Sequence, residues 1–157
     1  MEQIDQLTRE AIKEVFDTML SMEVNPEAPT PLPLDPLGQI VGSVGFIGDA
    51  TGIIYLYVGI GFAKVIASRM LGISETEVDS GECVTDAIGE LSNMVVGHVK
   101  SHLCNTGLPC VLTIPSVVRG QQLTVEGSAH CTRNTISFRN CTHQLLAEVM
   151  LKEPSVK

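Results

Sequence analysis

The stretch that decides the fold is QIVGSVGFIGDATGIIYLYVG, residues 39–59. It contains two β-branched runs with glycines, 39–48 and 52–59, and the turn-forming letters DATG, 49–52, join them. Two such runs around a short polar turn are typical of an antiparallel β-hairpin. The same turn interrupts the most apolar stretch of the chain, 41–67, which leaves no run long enough for a membrane-spanning helix. We therefore predict two antiparallel strands and no membrane span.

Helical patterns lie on both sides of this hairpin. Before it, apolar residues at helical spacing over 4–22 predict an amphipathic helix. After it, the run 61–72 ends in a glycine and predicts a second helix, and a long third helix is predicted over 80–103. The segment 25–36 holds five of the eight prolines, so we expect an extended connector that takes no part in helix or sheet.

The C-terminal third of the chain alternates strand-like runs with turn residues, at Arg119-Gly120 and Arg139-Asn140. Consecutive strands of this kind suggest a β-meander. Because the order of elements shows no βαβ alternation, we predict an α+β fold with about three helices packed on a largely antiparallel, mixed β-sheet. The predicted strands span 111–118, 123–127, 128–138 and 143–151.

Length, charge and cysteine content limit the size of the fold and its partners. A chain of 157 residues is expected to form a single domain over 1–157, with 25–36 as an internal connector. The 18 acidic and 10 basic residues leave a formal charge of −8, which argues against binding to nucleic acid or to an anionic membrane. The five cysteines form no C-x-x-C pair and the chain shows no signal-peptide pattern, so we expect a reduced, cytoplasmic protein.

The run Gly59-x-Gly61-x-x-Lys64 follows a strand and opens a helix, which is where a dinucleotide-binding fingerprint would lie. Its third position is lysine, and the preceding strand belongs to a hairpin rather than to a βαβ unit. A turn that needs flexible glycine is the better interpretation.

Two histidines of the long helix, His98 and His102, lie four residues apart, and Cys104 and Cys110 follow them. A zinc site is one interpretation of this group. However, the cysteine spacing fits no standard zinc motif, and a helical wheel places both histidines on or beside the apolar face. We favour structural histidines and expect no metal bound by this chain.

The long helix also carries a narrow polar stripe. Glu90 and Asn93 lie within about 40° of Asp86 around the helix axis, with Gly97 on the same stripe and Gly89 beside it. Glycine costs about 1 kcal/mol relative to alanine inside a helix, and its missing side chain would let another molecule approach the backbone. A solvated helix face is the alternative, in which acidic neighbours four residues apart weakly repel one another.

The stripe has the form D-x-x-x-E-x-x-N and continues into MVVG, 94–97. In this context the sequence resembles the CheC/CheX/FliY family of bacterial chemotaxis phosphatases, and the CheX branch most of all. The resemblance extends over nearly the whole chain. It includes, in the same order, the first amphipathic helix, the glycine-rich hairpin, the helix that ends in MLG, the E-x-x-N helix and the strand IPSVVRG, 114–120.

The resemblance implies removal of the phosphoryl group from the phospho-aspartate of a CheY-like response regulator. It implies that Asn93 is the catalytic amide, that Glu90 is its partner, and that Asp86 has a supporting role. The regulator already holds Mg²⁺ and a lysine around its acyl phosphate, so no cofactor is expected on this chain. A neutral amide orients the attacking water in line with the phosphorus without adding negative charge beside a dianion.

Two further expectations come from the same resemblance. Some relatives carry a second E-x-x-N motif in the first helix, where this chain has Glu14-Val-Phe-Asp17. Because a carboxylate replaces the amide, we predict that this copy is inactive. The resemblance to CheX-like proteins implies a homodimer joined through the sheets, so we expect a homodimer with one site in each chain.

A non-catalytic adaptor of the flagellar-switch or two-component machinery is the alternative function. The same fold also serves flagellar-switch proteins that bind partners without catalysis. Those proteins do not require the E-x-x-N pair, so the intact Glu90 and Asn93 favour the phosphatase.

Overall fold

Three α-helices lie on one face of an antiparallel β-sheet in the computed structural model of the chain, which describes residues 1–32, 35–79, 81–127 and 130–153. The helices are α1 (Glu2–Leu20), α2 (Ile60–Leu71) and α3 (Glu82–Asn105), and a short 3-10 helix, Glu75–Glu77, precedes α3. In the described ranges, no helix combines the length and the apolar character that crossing a membrane requires. The strands are β1 (Asn25–Glu27), β2 (Gln39–Gly48), β3 (Gly52–Gly59), β4 (Cys110–Leu112), β5 (Ser116–Gly120), β6 (Cys131–Asn140) and β7 (His143–Lys152).

The predicted hairpin lies at the centre of the sheet. The strand order is β1-β6-β7-β3-β2-β4, and β5 also pairs with β2. β2 and β3 pair from Gln39 opposite Gly59 to Phe46 opposite Gly52. All pairings of the described strands are antiparallel, so the α+β prediction is confirmed and the sheet is not mixed.

The C-terminal strands do not form the predicted meander. β4 and β5 pair with β2 at one edge of the sheet, whereas β6 and β7 lie on the other side of the hairpin. The single strand predicted over 111–118 is two strands. Thr113 N still donates to Gly45 O of β2 at 2.9 Å, but 114–115, which ends in a proline without a backbone N–H, interrupts the pairing. Residues 123–127 form no strand, and Arg119-Gly120 belongs to β5 rather than to a turn.

The proline-rich connector contains one short strand. β1 pairs with 137–139 of β6, so the prediction that 25–36 takes no part in the sheet is wrong at 25–27. Pro26 is tolerated there because β1 is the outermost strand, where a missing N–H leaves no neighbour unpaired. Residues 33–34 of the connector, the predicted helix start at Ser80 and the predicted strand start at 128–129 lie outside the described residues.

The core lies between the helices and the sheet and is mainly aliphatic. On β3, Ile54, Leu56 and Val58 alternate with outward-facing residues and are at most 1% exposed. Burial of one such side chain stabilises the fold by about 1.5–3 kcal/mol. Several residues of α3 are buried in the same way, so one side of this helix is packed firmly on the sheet. The buried aliphatic residues of α3 follow the helical repeat and are Val84, Ala87, Ile88, Leu91, Val95, Val96, Val99 and Leu103.

A glycine of β2 determines how closely α3 approaches the sheet. A Cβ atom at Gly42 would lie 3.0 Å from Ile88 Cγ2 and would collide with Ser92 Oγ. Ser92 is fully buried, and its hydroxyl donates to Ile88 O at 2.8 Å. Because this close contact lies one residue before Asn93, it fixes the height of the polar stripe above the sheet.

Candidate active site

α3 presents the predicted polar stripe away from the core. Asp86 and Glu90 are exposed and Asn93 is half-buried, whereas the adjacent Leu91 and Ser92 are fully buried. Successive residues of a helix point about 100° apart, so the stripe and the packed side of α3 diverge around the helix axis. An acid and an amide are therefore open to a partner on one helix face. The catalytic and supporting roles assigned to these three residues stay predictions.

The polar atoms of the stripe are not used by the chain itself. Within the described residues, no hydrogen bond or ion pair engages the side chains of Asp86, Glu90 or Asn93. Other amides of the chain are occupied: the Asn134 amide donates to Asp5, and the Asn140 amide donates to Glu23 O at 2.7 Å. The Asn93 side chain thus keeps two N–H donors and a carbonyl acceptor for a water or a phosphoryl oxygen.

The two glycines of the stripe differ in their surroundings. A Cβ atom at Gly97 would meet nothing within 4 Å, so the helix backbone is open to another molecule there. At Gly89 the nearest atom would be Val117 Cγ2 of β5, at 3.4 Å, which is an ordinary contact with the chain's own sheet edge. Gly97 therefore fits the predicted close approach of a partner better than Gly89 does.

Strand β5 flanks the N-terminal half of the stripe. Val117 of this strand lies near Gly89. In addition, the Arg119 guanidinium donates a hydrogen bond from Nη1 to Gly81 O, at the start of α3, at 3.2 Å. Neither residue was a sequence candidate. The strand 114–120 was recognised from the resemblance, but its contact with α3 crosses more than twenty residues of chain and leaves no local pattern.

Helix α1 packs beside α3 and carries the predicted inactive motif. Glu14 and Asp17 are both exposed. Glu14 Oε2 lies 3.5 Å from His98 Nδ1 of α3. An open groove of about 520 Å³ runs between the two helices, and its lining includes Glu14, Thr18, Met94, Gly97 and His98.

The histidine prediction is wrong for His102. His102 is exposed, whereas His98 is half-buried and contacts Glu14 of α1, so of the two only His98 makes a side-chain contact within the described residues. The helical wheel placed them beside the apolar face, but burial in the last turns of α3 is confined to residues such as Val99 and Leu103 and does not extend to His102. In the part of the chain that the structure describes, no group of three or more His, Cys, Asp or Glu side chains is arranged to hold a metal ion.

The glycines at the start of α2 serve a contact within the chain. Asp35 of the connector accepts a hydrogen bond from Gly61 N at Oδ2, at 2.9 Å, and one from Leu37 N at Oδ1, at 2.8 Å. A Cβ atom at Gly59 would lie 2.6 Å from Asp35 Oδ2. The carboxylate thus takes the place at the helix N-terminus that a bound phosphate would need.

The fold and the stripe define a class of protein: an α+β domain whose long helix presents to solvent an acid and an amide that have no partner among the described residues. A family model described as chemotaxis phosphatase CheX matches residues 40–139. The chain belongs to this family, which confirms the family predicted from the E-x-x-N helix. The matched range includes all of the hairpin except Gln39, together with α3 and β5, and therefore the whole stripe.

Relatives support the same assignment. The chain is 32% identical over 89 residues to the CheY-P phosphatase CheX of Thermotoga maritima, a match that spans 56% of each protein. The crystal structure of chemotaxis protein CheX from Vibrio vulnificus superposes with a TM-score of 0.82 at 25% identity, over 95% of this chain and 96% of that one. CheX in the CheX-CheY-BeF3-Mg²⁺ complex from Borrelia burgdorferi shares the fold at 19% identity, with a TM-score of 0.79 over 95% and 97% of the two chains.

Proposed function

We propose that this chain is a protein aspartyl-phosphate phosphatase that acts on a CheY-like response regulator. The observation that carries the proposal is the exposed Glu90 beside an Asn93 amide that no group of the described chain engages. Membership of the chemotaxis phosphatase CheX family and the activity in the name of the Thermotoga relative support the reaction. A response regulator as substrate implies the cytoplasm, and the five free cysteines suit its reducing conditions.

In the proposed mechanism, Asn93 positions the attacking water. The amide carbonyl accepts a hydrogen bond from the water, and the amide N–H donates to a phosphoryl oxygen. The water then attacks the phosphorus in line, the bond between phosphorus and the aspartyl oxygen breaks, and the aspartate leaves as a carboxylate, while both protons of the water remain on the inorganic phosphate that forms. Positioning and charge stabilisation account for most of the catalysis of such a loose transition state. The close contact of α3 with Gly42 supplies a rigid base for this positioning.

Glu90 sets the register of docking. It lies almost one turn before Asn93 on the same face and is exposed, so it is available to the regulator's active-site lysine as an ion pair. The chain carries a formal charge of −8, and the acidic pocket of a regulator is not attracted by that overall charge. Local pairing therefore selects the partner, with Asp86 in support one turn before Glu90.

Mg²⁺ enters the reaction with the regulator rather than on this chain. The Borrelia complex is named for CheX, CheY, BeF3 and Mg²⁺ together, which supports a metal at the site of the partner. The chain's own contribution is to the water and to docking. Removal of Mg²⁺ by a chelator is therefore expected to stop phosphorylation and assisted decay of the regulator while leaving the fold of this chain unchanged.

The decisive experiment is the decay of a phosphorylated CheY-like regulator in Mg²⁺, with and without this protein. We expect acceleration by the wild-type chain, its loss in Asn93→Ala, and a weaker effect of Glu90→Ala. Asn105→Ala is the matched control, since it removes an exposed amide from the last residue of α3, outside the stripe. Equal acceleration by Asn93→Ala would overturn the mechanism, and binding without acceleration by the wild type would favour the adaptor.

A homodimer joined through the sheets is also proposed. Several large apolar side chains are exposed around β4 and β5, including Val111 (64%), Ile114 (88%) and Val118 (54%). Ile47 of β2, opposite Val111 in the pairing, is 55% exposed. Such a patch at a sheet edge favours association with a second copy. Sedimentation is expected to show a dimer that Val118→Lys weakens and Leu71→Lys, at an exposed apolar position of α2, does not. A wild-type monomer at all concentrations would contradict this.

A further inference from the structure

A pocket of about 210 Å³ opens on the face of the sheet that points away from the helices. Tyr57 of β3 and Glu148 of β7 line this pocket. Their neighbours in the two strands, Leu56 and Ala147, belong to the core beneath the helices, and successive side chains of a strand point to opposite faces. The pocket is therefore separate from the stripe on α3 and has no part in the proposed phosphatase reaction.

Two segments without regular secondary structure cross this face and supply the walls of the pocket. Leu123 N donates a hydrogen bond to Gln39 Oε1 of β2 at 3.0 Å, which holds the segment 121–127 against the sheet. In the connector, Thr30 N donates to Ser137 Oγ of β6 at 3.0 Å. The apolar side chains that line the pocket come from both segments and from β7, and are Pro31, Leu32, Leu123, Val125 and Leu146.

A carboxylate oxygen at this pocket has no partner. Glu148 is 5% exposed, and its Oε2 accepts a hydrogen bond from Arg133 Nη2 at 2.7 Å. Its other oxygen, Oε1, is buried without a hydrogen-bond partner among the described residues. An unpartnered buried acceptor is costly, and a carboxylate turns readily about its terminal torsion, so either oxygen can face the pocket. The pocket therefore lacks one hydrogen-bond donor, which a ligand would supply.

Two unused donors lie around the same pocket. Tyr57 is 4% exposed, and its hydroxyl makes no hydrogen bond to a described residue. Burial, and then the neighbouring Glu148 carboxylate, raises the pKa of Tyr57, so its hydroxyl stays protonated and can donate. Gln39 uses its Oε1 for Leu123 N, but its Nε2 makes no hydrogen bond to a described residue. A ligand with a donor beside an acceptor would satisfy both kinds of group.

We propose that this pocket binds a small, uncharged carboxamide, whose N–H donates to the Glu148 carboxylate and whose carbonyl accepts from Tyr57 or Gln39. The ion pair of Glu148 with Arg133 already balances one charge of each sign, so a cationic ligand meets repulsion from Arg133 and an anionic one from Glu148. The apolar walls suit a hydrocarbon body. The volume is below the roughly 300–1,000 Å³ of pockets for drug-sized molecules, so the ligand is small.

The experiment titrates the ¹⁵N-labelled wild-type protein with benzamide and follows the backbone amide shifts. We expect saturable shifts at Leu123, Val125 and Leu146, a Kd of about 1 mM, and no shifts on α3. N,N-dimethylbenzamide keeps the ring and the carbonyl but has no N–H, so we expect it to bind about tenfold more weakly or less, the loss of a hydrogen bond to a charged group. Benzylamine and benzoate, which carry the two charges, are expected to bind more weakly than benzamide.

Two variants test the pocket itself. In Glu148→Gln, the amide oxygen can keep the contact with Arg133 while an N–H₂ group replaces the free acceptor, so we expect benzamide to bind about tenfold more weakly. Glu126→Gln is the matched control, because Glu126 is exposed in the same covering segment and does not line the pocket. Val125→Phe fills the pocket from that segment and is expected to abolish the shifts. Circular dichroism shows whether each variant keeps the wild-type fold.

The comparison of the four ligands on the wild-type protein needs no variant to fold. Saturable binding at the pocket with preference for benzamide supports the proposal, whether or not the protein accelerates decay of a phospho-regulator. Equal binding of N,N-dimethylbenzamide, tighter binding of benzylamine or benzoate, shifts confined to another surface, or no binding of benzamide, as for a pocket that holds water only, would each overturn it.

Discussion

Helices α1 and α3 pack side by side and carry related motifs, Glu14-x-x-Asp17 and Glu90-x-x-Asn93, but their surroundings differ. Glu14 faces His98 of α3 at 3.5 Å, whereas Glu90 has no partner within the described chain. Asp17 ends its motif with a carboxylate and Asn93 with an amide. All four side chains are at least partly open to solvent, so access does not distinguish the two helices.

The charge of the fourth residue is the difference that matters for the proposed reaction. Two like charges 4 Å apart repel by about 1 kcal/mol in water and about 4 kcal/mol near a protein surface. A carboxylate at the place of the amide would therefore disfavour an approaching phosphoryl group by several kcal/mol, or about a thousandfold in binding. Under the proposed mechanism, related spacing on neighbouring helices gives different chemistry because the fourth residue is an amide in one motif and an acid in the other.

The largest expected effect comes from making α3 resemble α1. Asn93→Asp keeps the size and shape of the side chain but adds the negative charge found at Asp17. We expect the rate of assisted phospho-regulator decay to fall by about 100-fold or more, the scale of removing one transition-state hydrogen-bond donor. The decay rate at saturating protein measures this. Wild-type activity in Asn93→Asp would show that charge does not separate the two helices.

The next effect concerns the close contact between Gly42 of β2 and α3, which holds the stripe in position above the sheet. Gly42→Ala places a methyl group against Ser92 and Ile88, and the crowding is expected to reduce the free energy of unfolding by about 1–3 kcal/mol. Urea unfolding measures the change. Gly97→Ala is the matched control, because its methyl group meets nothing within 4 Å and is expected to stabilise the helix by about 1 kcal/mol. Equal stability of Gly42→Ala and wild type would mean that α3 does not approach β2 so closely.

The elements that could be predicted from the sequence are those whose repeat of apolar residues lies within the element itself. The hairpin, α1, α2 and α3 were all expected within two residues of their ends, because their apolar repeats and glycine signals lie within each element. The pairing partners of β4 and β5 could not be predicted, since they bind β2 across tens of residues. The strand in the connector was missed because its prolines signal extended chain without showing that an edge strand tolerates them.

The candidate site was predictable in part. The wheel placed Asp86, Glu90 and Asn93 on one face, and the structure leaves that face open. By contrast, the contact of Gly42 with α3 could not be predicted, because it joins residues far apart in the chain. A glycine at a strand position that faces the helices is nevertheless a signal for such a close approach. His102 was misplaced because a helical wheel describes one helix alone and does not show how far burial extends around it.

A moderate effect is expected from Glu90 of α3 and none from Glu14 of α1. Glu90→Ala removes the proposed ion pair with the regulator's lysine, so we expect KM for the phospho-regulator to rise by about tenfold, or about 1.4 kcal/mol, with a smaller change in kcat. Glu14→Ala serves as the control from α1 and is expected to leave both constants unchanged. Titration of the regulator against initial rates measures them. An equal rise in KM for both variants would place α1 in the docking surface as well.

The smallest effect tests whether the contact between Glu14 and His98 could account for the predicted inactivity of the motif in α1. Both side chains are more than a third exposed, and the median exposed pair contributes about 0–1 kcal/mol. A double-mutant cycle with Glu14→Gln and His98→Gln is therefore expected to give a coupling energy of at most about 0.5 kcal/mol in urea unfolding. So weak a contact cannot hold Glu14 against a docking partner, which leaves the carboxylate of Asp17 as the proposed cause of that predicted inactivity. It follows that His98→Gln in an Asn93→Ala background should restore no activity, whereas restored activity would make the pairing of Glu14, rather than the charge of Asp17, the difference between the two helices.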